Sequence, residues 1–266
     1  MFGWLIGRNK GFQPNTIPNM RLWLDATRIN QANNTAVATW ADQSGNGYDA
    51  TQGTSAARPT YIASGLNGLP VVRFDGTDDV MSIPSSTSTF KFLHSDVSTI
   101  FIVAKAGVVT DPNTRYGFLG TNGGGNTSVV GININWDDRA SQSLNNAIRT
   151  GVTNGVGWRT LNTENNYFAA NTFGILTVRT DPANATPLER SILNFNGGTD
   201  RKNNIENSTL STANSAQDVA IGSGGASAFV LNGDIAEIIV YNRALNTSEL
   251  AQVHRYLSRK WGIQLA

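Results

Sequence analysis

The chain has no cysteine and only two histidines among its 266 residues. Without cysteine there is no disulfide framework, no thiol nucleophile and no cysteine-built zinc site. His94 and His254 stand far apart and form no zinc motif, so both read as ordinary surface or helix residues. Charge is sparse, at 15% of residues, and the formal net charge is only +1. No basic stripe stands out, which argues against nucleic acid as a partner. No run approaches the ~20 apolar residues of a membrane-spanning helix. There is no Gly-x-Ser-x-Gly string to place a nucleophilic serine. The glycine runs Gly123-Gly124-Gly125 and Gly222 to Gly225 lack the following lysine and helix of a phosphate loop, and read as turn tips.

What is present is glycine, with 27 residues, together with abundant Asn, Thr and Ser. Gly and Asn tolerate the positive φ of tight turns, so this composition suits many short strands. Apolar, β-branched segments recur between such turns. Strands are expected over Met20 to Leu24, Ala36 to Ala41, Val71 to Phe74, Val80 to Ile83 and Ser98 to Ala104. Further strands are expected over Tyr116 to Leu119, Ser128 to Ile134, Trp158 to Leu161, Gly174 to Arg179, Arg190 to Phe195, Ala220 to Gly222 and Asp234 to Tyr241. Arg58-Pro59-Thr60-Tyr61 reads as a turn.

One helix is well signalled near the C-terminus. Asn246 and Glu249 have capping-box spacing, and Leu245 and Leu250 have the spacing of a hydrophobic staple. Leu250, Val253 and Leu257 fall on one face. Arg255, Arg259 and Lys260 complement the dipole at its last turn, and Gly262 ends it. Residues 1–19 read as an N-terminal arm and 20–266 as one domain. The apolar stretch at Phe2, Trp4, Leu5 and Ile6 is too short for a secretory signal and precedes its basic residues, so it reads as an assembly anchor.

Several strings together carry a family resemblance. They are Leu22-Trp23-Leu24-Asp25, the turn Trp40-x-Asp42-x-Ser44-Gly45-Asn46-Gly47, Arg58 to Tyr61, Asn67 to Gly76, and Asn232 onward into the capped helix. In these the chain resembles the concanavalin A-like, laminin G-like jelly-roll domains of bacterial surface and phage virion proteins. The resemblance covers roughly the first third and the last eighth of the chain. It implies a two-sheet antiparallel jelly-roll sandwich with one C-terminal helix. Trp23, Trp40, Phe74 and Tyr241 are then core aromatics, and Asp42 and Asp75 cap turns.

The same resemblance raises three chemistries. Laminarinase-type glucanases share the fold, but their Glu-x-Asp-x-Glu strand is missing here. Asp234 and Glu237 are three apart, which on a regular strand sends them to opposite faces. A retaining glycosidase needs two carboxylates about 5–5.5 Å apart, so no catalytic residue is assigned and no hydrolase activity is expected. Calcium is the one cofactor that the resemblance allows, with Asp42, Asn46, Asp75, Asp78 and Asp79 as its weak candidates. Glycan binding needs exposed rings beside amides and carboxylates. Tyr116, Trp136, Asp137, Asp138, Trp158 and Tyr167 are the candidates, all in the unmatched middle. The expectation is a non-catalytic structural or adhesive virion component, joined to other virion or surface proteins through the arm. The alternative is a carbohydrate-binding, lectin-like domain of a bacterial surface or secreted protein, with cell-surface glycan as partner. Homo-oligomers are compatible with either.

Overall fold

The computed structural model describes residues 11–107, 115–123, 129–139, 141, 143–155, 158–202, 211–225 and 229–266, and of residues 158–162 the backbone alone. The strands of the first half are β1 (Met20–Asp25), β2 (Thr35–Ala36), β3 (Thr39–Trp40), β4 (Ala50–Thr51), β5 (Thr60–Leu66), β6 (Leu69–Asp75), β7 (Met81–Ile83), β8 (Ser98–Ala106) and β9 (Arg115–Gly120). Those of the second half are β10 (Val130–Asp137), β11 (Ala147–Asn154), β12 (Trp158–Asn162), β13 (Gly174–Thr180), β14 (Ser191–Phe195), β15 (Arg201–Lys202), β16 (Val219–Ile221) and β17 (Asn232–Tyr241). A one-turn helix α1 (Phe92–Ser95) precedes β8, and α2 (Thr247–Trp261) follows β17.

The strands form two antiparallel sheets. The first runs β15-β14-β13-β8-β17-β6-β5-β2, and β1 also pairs with β17. The second runs β12-β11-β10-β9-β16-β7-β4-β3. One edge of β17 lies along β8; the other meets β6 up to Ile235 and β1 from Glu237 onward. The first and last strands among the described residues are therefore direct neighbours.

Alternation along the strands builds two cores. On β8, Ile100, Ile102 and Ala104 fill the space between the sheets with Trp40, Phe74, Phe118 and Trp136. Phe101 and Val103 point the other way, onto the outer face of the first sheet, with Trp23 and Tyr241. That is why β8 reads as a continuous apolar run: both of its faces are buried. Helix α2 covers the outer face through Val253, Leu257 and Trp261, each fully buried, with Leu250 half-buried beside them. Its start is built as the spacing predicts: Glu249 N–H donates to the Asn246 side chain at 3.0 Å, and Asn246 N–H to Glu249 at 2.9 Å. Gly262 ends it at φ 66, in the left-handed region. The arm is packed from Phe12 onward, with the Phe12 ring edge-on to Tyr256 and Tyr241 Oη donating to Pro14 O at 2.8 Å. The anchor residues Phe2, Trp4, Leu5 and Ile6 lie outside the described residues.

A bulge at the centre of β17 fixes how α2 docks. The pairing with β8 shifts between Ile235 and Glu237. Ile235 and Ile238 face the inner core, while Ala236 and Ile239 face the helix. The extra residue turns Glu237 to the helix side, where strict alternation from Ile235 would have sent it inward. There its carboxylate accepts from Trp23 Nε1 and Tyr256 Oη at 2.6 and 2.9 Å on one oxygen, and from Trp261 Nε1 and Lys260 Nζ at 2.6 and 2.9 Å on the other. Lys260 also reaches Asp25 at 2.7 Å. Burial pushes the Glu237 carboxyl above the usual carboxylate range, against the pull of the Lys260 ammonium. The bulge also corrects the expectation for Asp234. That residue, like Glu237, lies on the outer face, but it is held by Arg73 and Lys105 at 2.7 and 2.8 Å.

Other expectations change for local reasons. Residues 36–41 are not one strand: β2 and β3 belong to different sheets, with a break at Val37 and Ala38. Arg58 to Tyr61 leads straight into β5, because Pro59 favours extended backbone around it and Thr60 and Tyr61 pair with Arg73 and Val72. Both histidines lie in helices, one of the two places expected for them, and both are buried there. His94 is buried in α1 with Nε2 3.1 Å from Ala213 O, and His254 is buried in α2.

The helix is predicted to be a structural element. Leu257→Ala should cost about 2–5 kcal/mol and Asn246→Ala about 0.5–2 kcal/mol in denaturant unfolding. A Leu257→Ala protein of unchanged stability would place this face outside the core.

Lys260 is predicted to be needed for burying both carboxylates. Lys260→Met leaves Glu237 buried without its cation and Asp25 with only the more distant Arg28, and should cost about 3–5 kcal/mol at neutral pH. An equally stable variant would show that the cluster contributes nothing.

Candidate functional site

The sequence Ile132-Asn133-Ile134-Asn135-Trp136-Asp137 on β10 alternates strictly. Ile132, Ile134 and Trp136 enter the inner core. Asn133, Asn135 and Asp137 therefore stand on the outer face of the second sheet. Residues opposite one another in a sheet share a face. The register thus sets Asp137 between Arg115 of β9 and Ala147 of β11, Asn135 between Gly117 and Arg149, and Asn133 between Gly120 and Gly151. The outcome is a polar layer where a sandwich usually meets water or a helix.

This layer is buried. Asn133, Asn135 and Asp137 are at most 1% exposed, whereas Arg115 and Arg149 are half-buried. Part of the cover is backbone: a Cβ on Gly117 would fall 1.9 Å from Gly224 N, and one on Gly120 2.1 Å from Gly224 O. Glycine at 117 and 120 is thus required, and the segment Ser223 to Gly225, expected to be a turn tip, lies against β9. Neither polar atom of the Asn135 amide has a hydrogen-bond partner, nor does Asn133 Oδ1 or Arg115 Nε. Each such group costs about 1–3 kcal/mol. Apolar side chains would avoid that cost, so stability does not account for these asparagines.

Positive charge dominates the same face. Arg139 clamps Asp137 with Nε at 2.8 Å and a terminal nitrogen at 2.7 Å. Burial, reinforced by Arg139 and Arg149, pulls the Arg115 guanidinium down to about 10, with Asp137 opposing. Burial and Arg139 likewise lower Arg149. The Arg115 guanidinium lies 3.5 Å above the ring of Phe229. Phe229 sits at φ 59, a left-handed conformation that is uncommon for an aromatic residue and costs of order 1–3 kcal/mol.

Of the six sugar candidates, only Asp137 belongs to this layer. Tyr116 and Trp136 are buried between the sheets, stacked with centroids 5.7 Å apart, and Trp136 Nε1 donates to Phe168 O at 2.7 Å. They cannot stack on a sugar. The reason is that β10 runs on to Asp137, so Trp136 keeps the inward phase of Ile132 and Ile134. Asp138 accepts from the Asn146 N–H at 2.9 Å. Tyr167 packs on Phe195 with Arg201 over its ring. Trp158 starts β12 opposite Thr153, and its side chain lies outside the described residues. Arg115, Asn133, Asn135 and Arg149 were missed, although the alternation of β10 carried the signal.

The metal candidates separate into two groups. Asp42 is a turn hub: Oδ1 accepts from Trp23 N and Ser44 N, and Oδ2 from Ser44 Oγ and Tyr48 N. Asn46 Nδ2 donates to Met20 O and Arg21 O, so neither residue points its donors at a shared centre. Asp75, Asp78 and Asp79 do converge, with oxygens within 4.8 Å of one another. Burial and the charge of Asp75 raise the Asp79 carboxyl to about 6. Asp75 and Asp79 also accept backbone N–H groups of their own turn. As a donor set, three carboxylates suit a hard divalent cation.

A concave region of about 400 Å³ lies between α2 and β13–β14, lined by Thr177, Arg179, Asn194, Asp200, Leu250 and His254. His254 Nε2 lies 2.8 Å from Thr177 Oγ1, and Arg179 pairs with Asp200. Burial, with Arg179 nearby, lowers His254 to about 4.

No protein-family model and no curated protein matches the sequence. Solved structures do match in fold. The CBM40 of the Ruminococcus gnavus IT-sialidase, bound to α2,3 sialyllactose, aligns with a TM-score of 0.52 at 16% identity, over 69% of this chain and 95% of that one. The botulinum neurotoxin type G receptor binding domain aligns with a TM-score of 0.58 at 14% identity, over 90% of this chain and 51% of that one. A Trypanosoma rangeli sialidase aligns with a TM-score of 0.55 at 14% identity, over 92% of this chain and 33% of that one. The architecture is thus an all-β sandwich of jelly-roll type.

The buried His254 makes a pH prediction. Its pKa is lower folded than unfolded, so its contribution to stability is present above the unfolded value of about 6.5 and is lost as pH falls through about 4, by up to about 3 kcal/mol. Asp79, raised to about 6, acts in the opposite sense between about 4 and 6. The stability of His254→Asn minus that of the parent should therefore rise as pH falls from 6.5 to 4. A pH-independent difference would show that His254 does not titrate with folding.

Proposed function

We propose that the chain is a lectin-like carbohydrate-binding domain that holds a glycan on the outer face of its second sheet and does not cleave it. The observation that carries this reading is the polar layer itself. Asn133, Asn135 and Asp137 stand with Arg115, Arg139 and Arg149 on one face, and Asn133 Oδ1 and both polar atoms of the Asn135 amide have no hydrogen-bond partner in the chain. Convergent amides and guanidinium groups are what recognition of sugar hydroxyls requires. Two fold neighbours favour the same ligand class: the R. gnavus CBM40 binds sialyllactose, and a botulinum neurotoxin DC binding domain is seen with SialylT.

The non-catalytic part of the proposal rests on how the acidic residues are engaged. Asp25 and Glu237 are buried beneath α2 with Lys260 between them, and Asp137 is clamped by Arg139. Asp75, Asp78 and Asp79 sit on a turn and would hold a hard cation such as calcium, which would relieve the repulsion among them. A place on a virion is the second reading. Its support is the apolar sequence from Phe2 to Ile6, which in that setting tethers the domain to a larger particle.

A glycan array probed with the full chain should show selective binding to a small group of oligosaccharides, and reducing-end assays on laminarin and cell-wall and capsule polysaccharides should stay at background. An array without signal would overturn the lectin reading. Turnover that disappears on Asp137→Asn would make the protein an enzyme.

A further inference from the structure

We infer that the cleft between α2 and β13–β14 is a separate binding site, which takes one uncharged sugar residue against Leu250, Arg179 and Asp200. It goes beyond the reading of the second sheet's outer face and lies on the other sheet.

Its place in the fold supplies the first argument. Ile175, Phe101 and Val103 on the outer face of the first sheet belong to the apolar core beneath α2. Alternation along β13 puts Thr177 and Arg179 on that same face, and the register sets Thr177 opposite Asn194 of β14. Beyond Ile175 the apolar packing therefore stops, and Thr177, Asn194 and His254, all buried, take its place. Leu250 shares the apolar stripe of Val253 and Leu257, yet it stays half-buried because the cleft opens beside it. About 400 Å³ is left open, a volume within the usual range of small-molecule pockets. Leu250 and Ala251 line its helix side, and Arg179 and Asp200 its sheet side.

Chemistry supplies the second argument. The charges of the lining cancel: Arg179 pairs with Asp200, and burial keeps His254 uncharged at neutral pH. Asn194 spends its amide hydrogens on Gly198 O and Asp200 Oδ1, so it holds the carboxylate in place. Each Asp200 oxygen accepts one donor and keeps acceptor capacity, and the Arg179 guanidinium keeps N–H groups that Asp200 does not use. Both side chains reach the surface, at 22% and 35% exposed. A donor and an acceptor fixed side by side fit the adjacent hydroxyl groups of a sugar, while Leu250 and Ala251 offer an apolar wall for its C–H face. An ionic ligand would find no unmatched charge here.

The test is a two-dimensional nitrogen–proton NMR titration of the full chain with galactose, glucose, mannose, N-acetylglucosamine and glucuronate. Each is taken to about 50 mM, enough to fill a millimolar site. At least one neutral sugar should shift the amide signals of Gly197, Gly198, Asp200 and Leu250 saturably. Ala251→Phe, which fills the cleft, should abolish those shifts at unchanged melting temperature. Asp200→Asn should weaken binding about tenfold or more, as loss of a hydrogen bond to a charged group does, and serves alone should Ala251→Phe not fold. No saturable shift at these amides with any neutral sugar overturns the site. Tighter binding of glucuronate than of every neutral sugar overturns the uncharged class. Shifts confined to β9, β10 and β11 overturn the cleft and leave the reading of the second sheet standing.

Discussion

A single buried carboxylate decides how this sandwich is closed. Glu237 receives four donors, two from indole nitrogens, one from a tyrosine and one from a lysine. They come from β1, at the start of the chain, and from α2, at its end. The hub therefore ties both ends of the domain to its central strand. Such a cluster gains stability only when every acceptor site is filled, because a buried ion with a missing partner is strongly unfavourable. The bulge at Ala236 and Glu237 makes this geometry available; a regular strand would have put the carboxylate into the apolar interior.

The consequence reaches the other side of the molecule. With α2 docked, the outer face of the first sheet is occupied by a second apolar core. The outer face of the second sheet has no helix among the described residues. It carries amides and guanidinium groups, with glycines at 117 and 120 letting the backbone of Ser223 and Gly224 lie close. One outer face thus carries a helix over a second apolar core, and the opposite one carries polar groups. Unpaired amides at the second face are the kind of departure from good packing that functional sites show.

Much of the fold was legible in local signals. The capped helix matched its spacing because cap, staple and apolar stripe agree within a few turns of chain. β8 and β17 were legible as long β-branched runs. The region from Ala36 to Ala41 misled because its two short strands join different sheets, which no local pattern reports. β11 was passed over because Thr, Gly, Arg and Asn dilute its apolar alternation. The site was less legible than the fold. Aromatic residues drew attention to Tyr116 and Trp136, which the phase of β10 sends inward. The residues that form the polar layer are spread over three strands, and only the register brings Arg115, Asn135 and Arg149 into adjacent rows. The bulge in β17 was equally hidden, since it depends on which partner strand each half of β17 meets.

Glycan binding is tested most directly by a crystal structure of the chain grown with an oligosaccharide that it binds on an array. The proposed lectin-like role predicts density for the sugar over β9, β10 and β11, on the outer face of the second sheet. Density for the same sugar in the cleft beside His254, or over the Asp75–Asp78–Asp79 turn, with that face untouched, would contradict it.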